Sequence, residues 1–161
     1  STGLNSAEYL YGKGKRTIDK YAQSTICMFT ITNIEEINKV FGREIGTKTI
    51  IDVSNIVKTS ISAQYIFVRY MGPKFAIAFS GVDLEGVEEF VKTVKDEIEK
   101  LTLKKEQVVK NKKTKKQLIA HPRTNFILAT YYKGTGLEEV TKKLEEYLDD
   151  ADKTESNINC I

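Results

Sequence analysis

The side chains that most often carry catalysis are sparse in this sequence. His121 is the only histidine, and the two cysteines, Cys27 and Cys160, lie far apart along the chain. Neither cysteine has a Cys or His at the short spacing of a metal site, and no second base stands near His121. We therefore expect a core thiol at Cys27, an incidental thiol at Cys160 and a loop position for His121.

Lysine is the one charged residue that clusters strongly. Residues 104–116 contain seven lysines and one glutamate, whereas the formal net charge of the whole chain is only +3. The remainder is net negative, so there is no strong case for nucleic acid from charge alone. The segment reads as two short strands joined by a basic tip, which could contact nucleic acid, an anionic lipid or an acidic partner. Because no aromatic residue is interleaved with the lysines, we favour a solubilising edge.

Length and composition indicate one globular unit. The chain has 161 residues, of which 40% are apolar and 29% charged, enough to bury a core. No run approaches the roughly 18 apolar residues of a membrane span, and the chain does not start with the basic and apolar regions of a signal peptide. We therefore expect a single domain over 1–161, located in the cytoplasm and without a transmembrane segment in this chain.

Short apolar runs and helical periodicities predict the elements that would position any site. Strands are expected at 25–31, 65–70, 75–79 and 125–132. Two consecutive helices broken near Gly42 follow the first strand, one helix follows the third, and one begins near Leu137. An N-terminal helix over roughly 6–22 and a lysine-rich hairpin insertion near 104–119 complete the prediction.

This order of elements is that of an α+β, ferredoxin-like fold, an antiparallel sheet flanked by helices. Right-handed crossovers put the first two strands parallel, with the third inserted antiparallel between them. The turn at 71–74 then lies beside the end of the first strand, near Thr30 and Thr32. In such a fold this corner suits a metal-dependent nucleotidyl-transfer site, because two elements can each supply a carboxylate to Mg²⁺. Neither element supplies one here.

Four short motifs resemble those of a known family. They are T-G-L at 2–4, N-K-V-F-G-R-E-I-G at 38–46, R-Y-M-G-P-K-F at 69–75 and A-D-K-T-E-S-N at 151–157. In order and spacing they are similar to T-G-L, N-D-x-x-G-H-x-x-G, R-Y-G-G-D-E-F and A-K-x-x-G-R-N of GGDEF domains, the diguanylate cyclase family. The resemblance covers nearly the whole chain and implies the nucleotide-cyclase, palm-like form of the fold.

Members of that family make cyclic di-GMP from two GTP molecules, with Mg²⁺ held by an aspartate of the first strand and by the acidic third residue of the signature. The resemblance puts these ligands at Thr30 and Pro73, neither of which carries a charge. The fourth signature position, normally acidic, is Lys74, which would repel a metal. We therefore expect no metal site and no cofactor.

The contacts to GTP are altered as well. The resemblance implies that Asn38 keeps the guanine-binding asparagine, while Lys39 puts a donor where the guanine edge needs an acceptor. It also implies that Asp152 and Ser156 replace the lysine and arginine that hold the phosphates. The product-inhibition motif R-x-x-D corresponds to S-A-Q-Y at 62–65, which lacks both charged residues.

These replacements predict a degenerate GGDEF domain that is not an enzyme and has no catalytic residue. Its expected role is a regulatory or protein-interaction domain of a bacterial signalling or membrane-associated protein, whose partner is another protein, a neighbouring domain or a second copy. The acidic residues between 145 and 152 would form a solvated helix face or an interaction surface.

Two other functions remain open. The first is a sensor of a nucleotide or cyclic dinucleotide in a vestigial groove; the groove residues are Asn38, Lys39, Gly42, Gly72 and Lys74. The second, less favoured, is a weak NTP hydrolase. The structural alternative is that the glycines serve the helix junction and the turn, and that both lysines are solvated.

Overall fold

A five-stranded sheet lies at the centre of the computed structural model, which describes residues 2–108, 114–151 and 156–161. The strand order is β2-β3-β1-β6-β7. Its strands are β1 Gln23–Ile31, β2 Ile66–Met71, β3 Lys74–Phe79, β6 Thr124–Tyr132 and β7 Ile158–Cys160. Strand β1 pairs antiparallel with both β3 and β6, and β6 pairs parallel with β7. The α+β fold and the insertion of β3 between β1 and β2 are confirmed.

Helices cover both faces of this sheet. They are α1 Ala7–Tyr9, α2 Lys15–Ile18, α3 Ile34–Phe41, α4 Arg43–Ser60, α5 Leu84–Glu99 and α6 Leu137–Asp150, with a π-helical stretch Leu10–Gly14 between α1 and α2. The N-terminal helix predicted over 6–22 is therefore shorter, and its two glycines lie in the π-helical stretch. No helix of the described residues combines the length and apolar character needed to cross a membrane.

Alternation along the strands divides the core into two layers. On one face, Phe29 of β1 stacks on Phe75 of β3 and Phe126 of β6, with ring centroids 5.1 and 4.6 Å away. Helices α4 and α5 pack on this face. On the other face, Met28 and neighbouring residues meet α6 and the N-terminal helices. Because both faces are covered, β1 reads as a continuous apolar run rather than an alternating one.

The lysine-rich segment forms a separate antiparallel hairpin, β4 Leu103–Val108 and β5 Lys115–Ala120. Most of its side chains are exposed. The tip at 109–113 lies outside the described residues, so the contacts proposed for it stay predictions. The sequence reading missed β7, because a three-residue strand shows no periodicity and forms here by pairing with β6.

Candidate functional site at the edge of the central strands

The end of β1 meets the start of β3, as the predicted topology requires. Thr30 is paired with Lys74 on one side and with Asn125 of β6 on the other. The backbone N–H of Ile31 donates to the carbonyl oxygen of Pro73 at 3.2 Å. The positions at which the resemblance places the two metal ligands, Thr30 and Pro73, therefore do lie at one corner of the sheet.

The turn that carries Pro73 is held by its own residues. Gly72 has a φ of +56°, a conformation that glycine adopts without steric cost. The Nε–H of Arg69 donates to the carbonyl oxygen of Gly72 at 2.8 Å. Gly72 therefore has a structural role in the hairpin between β2 and β3.

A groove of about 220 Å³ opens at this corner. The sheet, the first turn of α3 and the end of α6 surround it. Its lining residues are Thr30, Ile31, Thr32, Ile34, Glu35, Pro73, Lys74, Asn125, Leu148, Asp149 and Ala151. Of the five predicted groove residues, only Lys74 lines it.

Lys74 is bound to two carboxylates of α6. Its Nζ lies 2.6 Å from Oδ1 of Asp149 and 3.1 Å from Oε2 of Glu145, and only 17% of its side chain is exposed. Burial alone would lower the pKa of Lys74, but the hydrogen bonds to Asp149 and Glu145 outweigh it and raise the pKa. Lys74 is thus neither solvated nor free to bind an anion, and the corner carries more negative than positive charge.

Asn125 is the least satisfied polar residue at the groove. Its side chain is fully buried, and among the described residues neither its Oδ1 nor its Nδ2 has a hydrogen-bond partner. Leaving a buried amide unpaired costs free energy, so such a group needs an explanation such as an internal water or a ligand. The sequence reading did not identify it, because an asparagine inside a strand gives no motif.

The other predicted groove residues lie at the junction of α3 and α4. Gly42 has a φ of +95° and separates the two helices. The Oδ1 of Asn38 lies so close to Gly46 that a Cβ there would be 1.6 Å from it. Lys39 is exposed in the last turn of α3. None of the three predicted residues lines the groove beside Lys74, and ligand binding by them stays a prediction.

The side chains at the corner do not fit a divalent cation. Thr30 offers a neutral hydroxyl and Pro73 only a carbonyl that already accepts a hydrogen bond, whereas Mg²⁺ is held by carboxylates and waters. Two carboxylates line the groove, Asp149, which is paired with Lys74, and Glu35 on the first turn of α3. Within the described part of the chain, no group of three or more His, Cys, Asp or Glu side chains is arranged so that it could hold a metal ion.

Only one of the two predicted phosphate-contact positions can be located. Ser156 binds Glu99 of α5, with its Oγ donating to Oε2 at 2.9 Å, and Lys95 donates to the same hydroxyl at 2.8 Å. Asp152 lies outside the described residues. At the product-inhibition position, Tyr65 packs on Phe79 with ring centroids 5.2 Å apart. Ser156 therefore belongs to a hydrogen-bonded group with Lys95 and Glu99, and Tyr65 packs on the core.

Glu145 and Asp149, which bind Lys74, were predicted from the sequence only to be part of an acidic helix face. Glu145 and Asp149 are one helical turn apart, which places them on the same side of α6. That spacing is a signal, but nothing in the sequence identifies a partner 71 residues away. The rest of the predicted acidic surface consists of Glu146 and Asp150, together with Asp152 outside the described residues.

Comparisons with known proteins agree with this fold. A family described as "Diguanylate cyclase, GGDEF domain" matches residues 2–157. No curated protein matches the chain significantly. Among solved structures, diguanylate cyclase SiaD from Pseudomonas aeruginosa, in complex with its activator SiaC, is 13% identical with a TM-score of 0.79. The match covers 99% of this chain but only 59% of the SiaD chain.

Isolated domains match over most of their length. The GGDEF domain of DgcB from Caulobacter crescentus, in complex with c-di-GMP, is 14% identical with a TM-score of 0.78, and the match covers 98% of this chain and 91% of that one. The FimX GGDEF domain from Pseudomonas aeruginosa is 13% identical with a TM-score of 0.77, over 99% and 96% of the two chains. At these identities the similarity establishes the fold alone. The family match over nearly the whole chain goes further, and the chain belongs to the GGDEF domain family.

Proposed function

We propose that this chain is a non-catalytic GGDEF domain that acts as a regulatory or protein-interaction module in a bacterial cyclic di-GMP signalling protein. The observation that carries the proposal is the occupation of the corner by Lys74, bound to Asp149 and Glu145. An ammonium group lies where the resemblance places an acid, and its two carboxylate partners are used to neutralise it. The net negative charge that remains opposes the phosphates of GTP. Thr30 and Pro73 offer no carboxylate to a divalent cation.

The first experiment tests for turnover. Purified protein is incubated with GTP and Mg²⁺, and the products are separated by ion-pair chromatography. We expect no cyclic di-GMP. Its formation at a rate proportional to protein concentration would refute the proposal.

A second experiment tests the metal argument through restored carboxylates. Mn²⁺ binding is measured by electron paramagnetic resonance for the wild type, for the double variant Thr30→Asp/Pro73→Asp, and for Thr130→Asp, which adds a carboxylate at the far end of β6. Only the double variant should bind Mn²⁺, because it alone places two carboxylates at the corner. Equal binding by the wild type would mean that the present side chains already suffice.

A protein partner has a precedent in the SiaD structure, which contains the activator SiaC. The chain itself offers opposite charges for self-association, in the hairpin lysines and in Glu146 and Asp150 of α6. Sedimentation velocity at low and high salt tests this contact, which should weaken as salt screens it. A sedimentation coefficient that does not change with salt would exclude a homodimer of this kind.

The unpartnered amide of Asn125 favours a second candidate, a nucleotide or cyclic-dinucleotide sensor at the groove. Calorimetry with GTP, ATP, cyclic di-GMP and cyclic di-AMP, each with Mg²⁺ or EDTA, separates the two functions. Binding that survives EDTA and is weakened by Asn125→Ser, but not by Lys39→Ala outside this groove, would favour the sensor. If none of the four nucleotides gives a heat of binding, the protein-interaction module remains as the function.

A further inference from the structure

A cavity larger than the groove lies between α3 and the hairpin, as a separate cleft. It has a volume of about 410 Å³, within the range of small-molecule sites. Its lining residues are Asn33, Glu36, Ile37, Val40, Phe41, Leu118, Ile119, Ala120, His121 and Arg123. None of these lines the groove, although α3 forms a wall of both.

The cleft is held open by specific hydrogen bonds. Asn33, itself buried, donates from Nδ2 to the carbonyl oxygen of His121 at 2.9 Å and accepts from the N–H of Arg123 at 2.8 Å. This pins the segment between β5 and β6 to the start of α3. At the other end of α3, Lys105 of β4 donates to the carbonyl oxygen of Val40 at 3.2 Å. The two walls are therefore connected independently of any ligand.

The walls are apolar and partly exposed. Ile37 and Phe41 are buried, while Val40 and Ile119 are 38% and 57% exposed. Exposed aliphatic side chains from two different elements that face the same cavity are the feature of a site that accepts an apolar group. The cleft is bounded by α3, β5 and the segment 121–123. Its volume of about 410 Å³ suits a ring system or a short chain.

The charged side chains at the rim of the cleft indicate that the ligand also carries an acid group. The guanidinium of Arg123 is 3.8 Å from Glu36, and both side chains are well exposed, 45% and 69%, so this pair is weak. Lys104 and Lys105 of the hairpin add positive charge next to the cleft. The Nδ1–H of His121 donates to the carbonyl oxygen of Leu101 at 2.9 Å, which holds its ring at the rim. An acid group would therefore compete with Glu36 for Arg123, and it can do so because the existing pair is long and exposed.

We infer that the cleft between α3 and β5 binds a small amphipathic organic anion, with its apolar body between Val40 and Ile119 and its acid group on Arg123. The site does not depend on whether the domain acts on GTP, because it shares no residue with the groove. A ligand bound there would regulate the domain from the side of α3 that faces the hairpin.

The test uses 8-anilinonaphthalene-1-sulfonate, an aromatic sulfonate whose fluorescence rises in an apolar site. Its binding to the full chain is followed by fluorescence and by NMR of isoleucine, leucine and valine methyl groups. We expect a single site and shifts at Val40, Leu118 and Ile119, with Val91 in the core of α5 unchanged. Arg123→Gln should weaken the sulfonate roughly tenfold and leave N-phenyl-1-naphthylamine, which lacks the sulfonate, unaffected.

Matched variants separate the cleft from general dye binding. Ile119→Ala should weaken both dyes, whereas Val108→Ala, an exposed apolar residue of the same hairpin outside the cleft, and Arg16→Gln on α2 should change neither. Circular dichroism confirms that each variant is folded. Equal binding by Arg123→Gln and wild type, or methyl shifts outside the cleft only, would overturn the inference. Shifts with hexaglutamate but not with the sulfonate would also overturn it, in favour of an acidic peptide.

Discussion

Lys74 shows how a single residue sets the chemistry of the corner. At this position the resemblance implies an acidic residue. The lysine instead reaches α6, and its two carboxylate partners bury most of its side chain. Burial of the lysine is tolerated because its charge has partners, which removes most of the penalty of burying an unpaired ammonium.

Glu99 is a carboxyl whose ionisation is coupled to the fold. Burial alone would raise its pKa, but hydrogen bonds from Lys95, from the backbone of Thr124 and from Ser156 outweigh burial and lower it. A carboxyl with a lowered pKa in the folded state stabilises that state above its unfolded pKa, about 4.3, and loses this contribution as the pH falls through the folded value.

We therefore expect the free energy of unfolding of the wild type to fall below about pH 5, and to fall less steeply in Glu99→Gln. Urea titrations between pH 3 and pH 7 measure both slopes. Glu97→Gln, an exposed neighbour on α5, is the control and should keep the wild-type slope. Identical slopes for Glu99→Gln and wild type would show that Glu99 is not the coupled group.

Gly42 and Gly46 allow the chain to form the junction between α3 and α4. The positive φ of Gly42 ends α3 and begins α4, and the missing Cβ of Gly46 leaves room for the amide of Asn38. The junction therefore needs two glycines and a small polar side chain for reasons of packing alone. This is the structural alternative that the sequence left open for Gly42.

Replacing Gly46 by alanine tests this junction. A Cβ would overlap the Oδ1 of Asn38, so Gly46→Ala should destabilise the fold by about 1–3 kcal/mol. Asn38→Ala in the same chain should recover part of that loss, because it removes the overlapping atoms. Gly12→Ala has open space around its Cβ and should be neutral or slightly stabilising. Thermal unfolding of Gly46→Ala, Asn38→Ala, the double variant and Gly12→Ala decides, and additive losses in the double variant would contradict the overlap.

At the scale of the whole molecule, the central sheet and the β4–β5 hairpin differ in how deeply their strands are buried. Strand β1 is paired on both edges and covered on both faces. The β4–β5 hairpin is a two-stranded sheet with mostly exposed side chains. Two-stranded sheets are marginally stable by themselves, so local opening of the hairpin should cost far less than opening of β1.

Hydrogen exchange should follow this difference. We expect amides of β1 to exchange at the rate set by global unfolding, and those of β4 and β5 orders of magnitude faster. Mass spectrometry or NMR at a single pH measures both sets in one sample, with β6 as an internal reference for a buried strand. Hairpin amides as slow as those of β1 would mean that the hairpin is an integral part of the core.

The sequence by itself determined the elements and their order, because apolar runs and helical spacing are local properties of the chain. It also determined the family, through motifs that keep their spacing, and it puts threonine, proline and lysine at 30, 73 and 74. Only the tertiary structure shows what these residues contact. The ion pairs of Lys74 with Glu145 and Asp149, the buried amide of Asn125 and the cleft between α3 and β5 each join residues from distant segments. Such contacts depend on how far side chains reach once the helices are packed on the sheet, and no spacing along the chain encodes that distance.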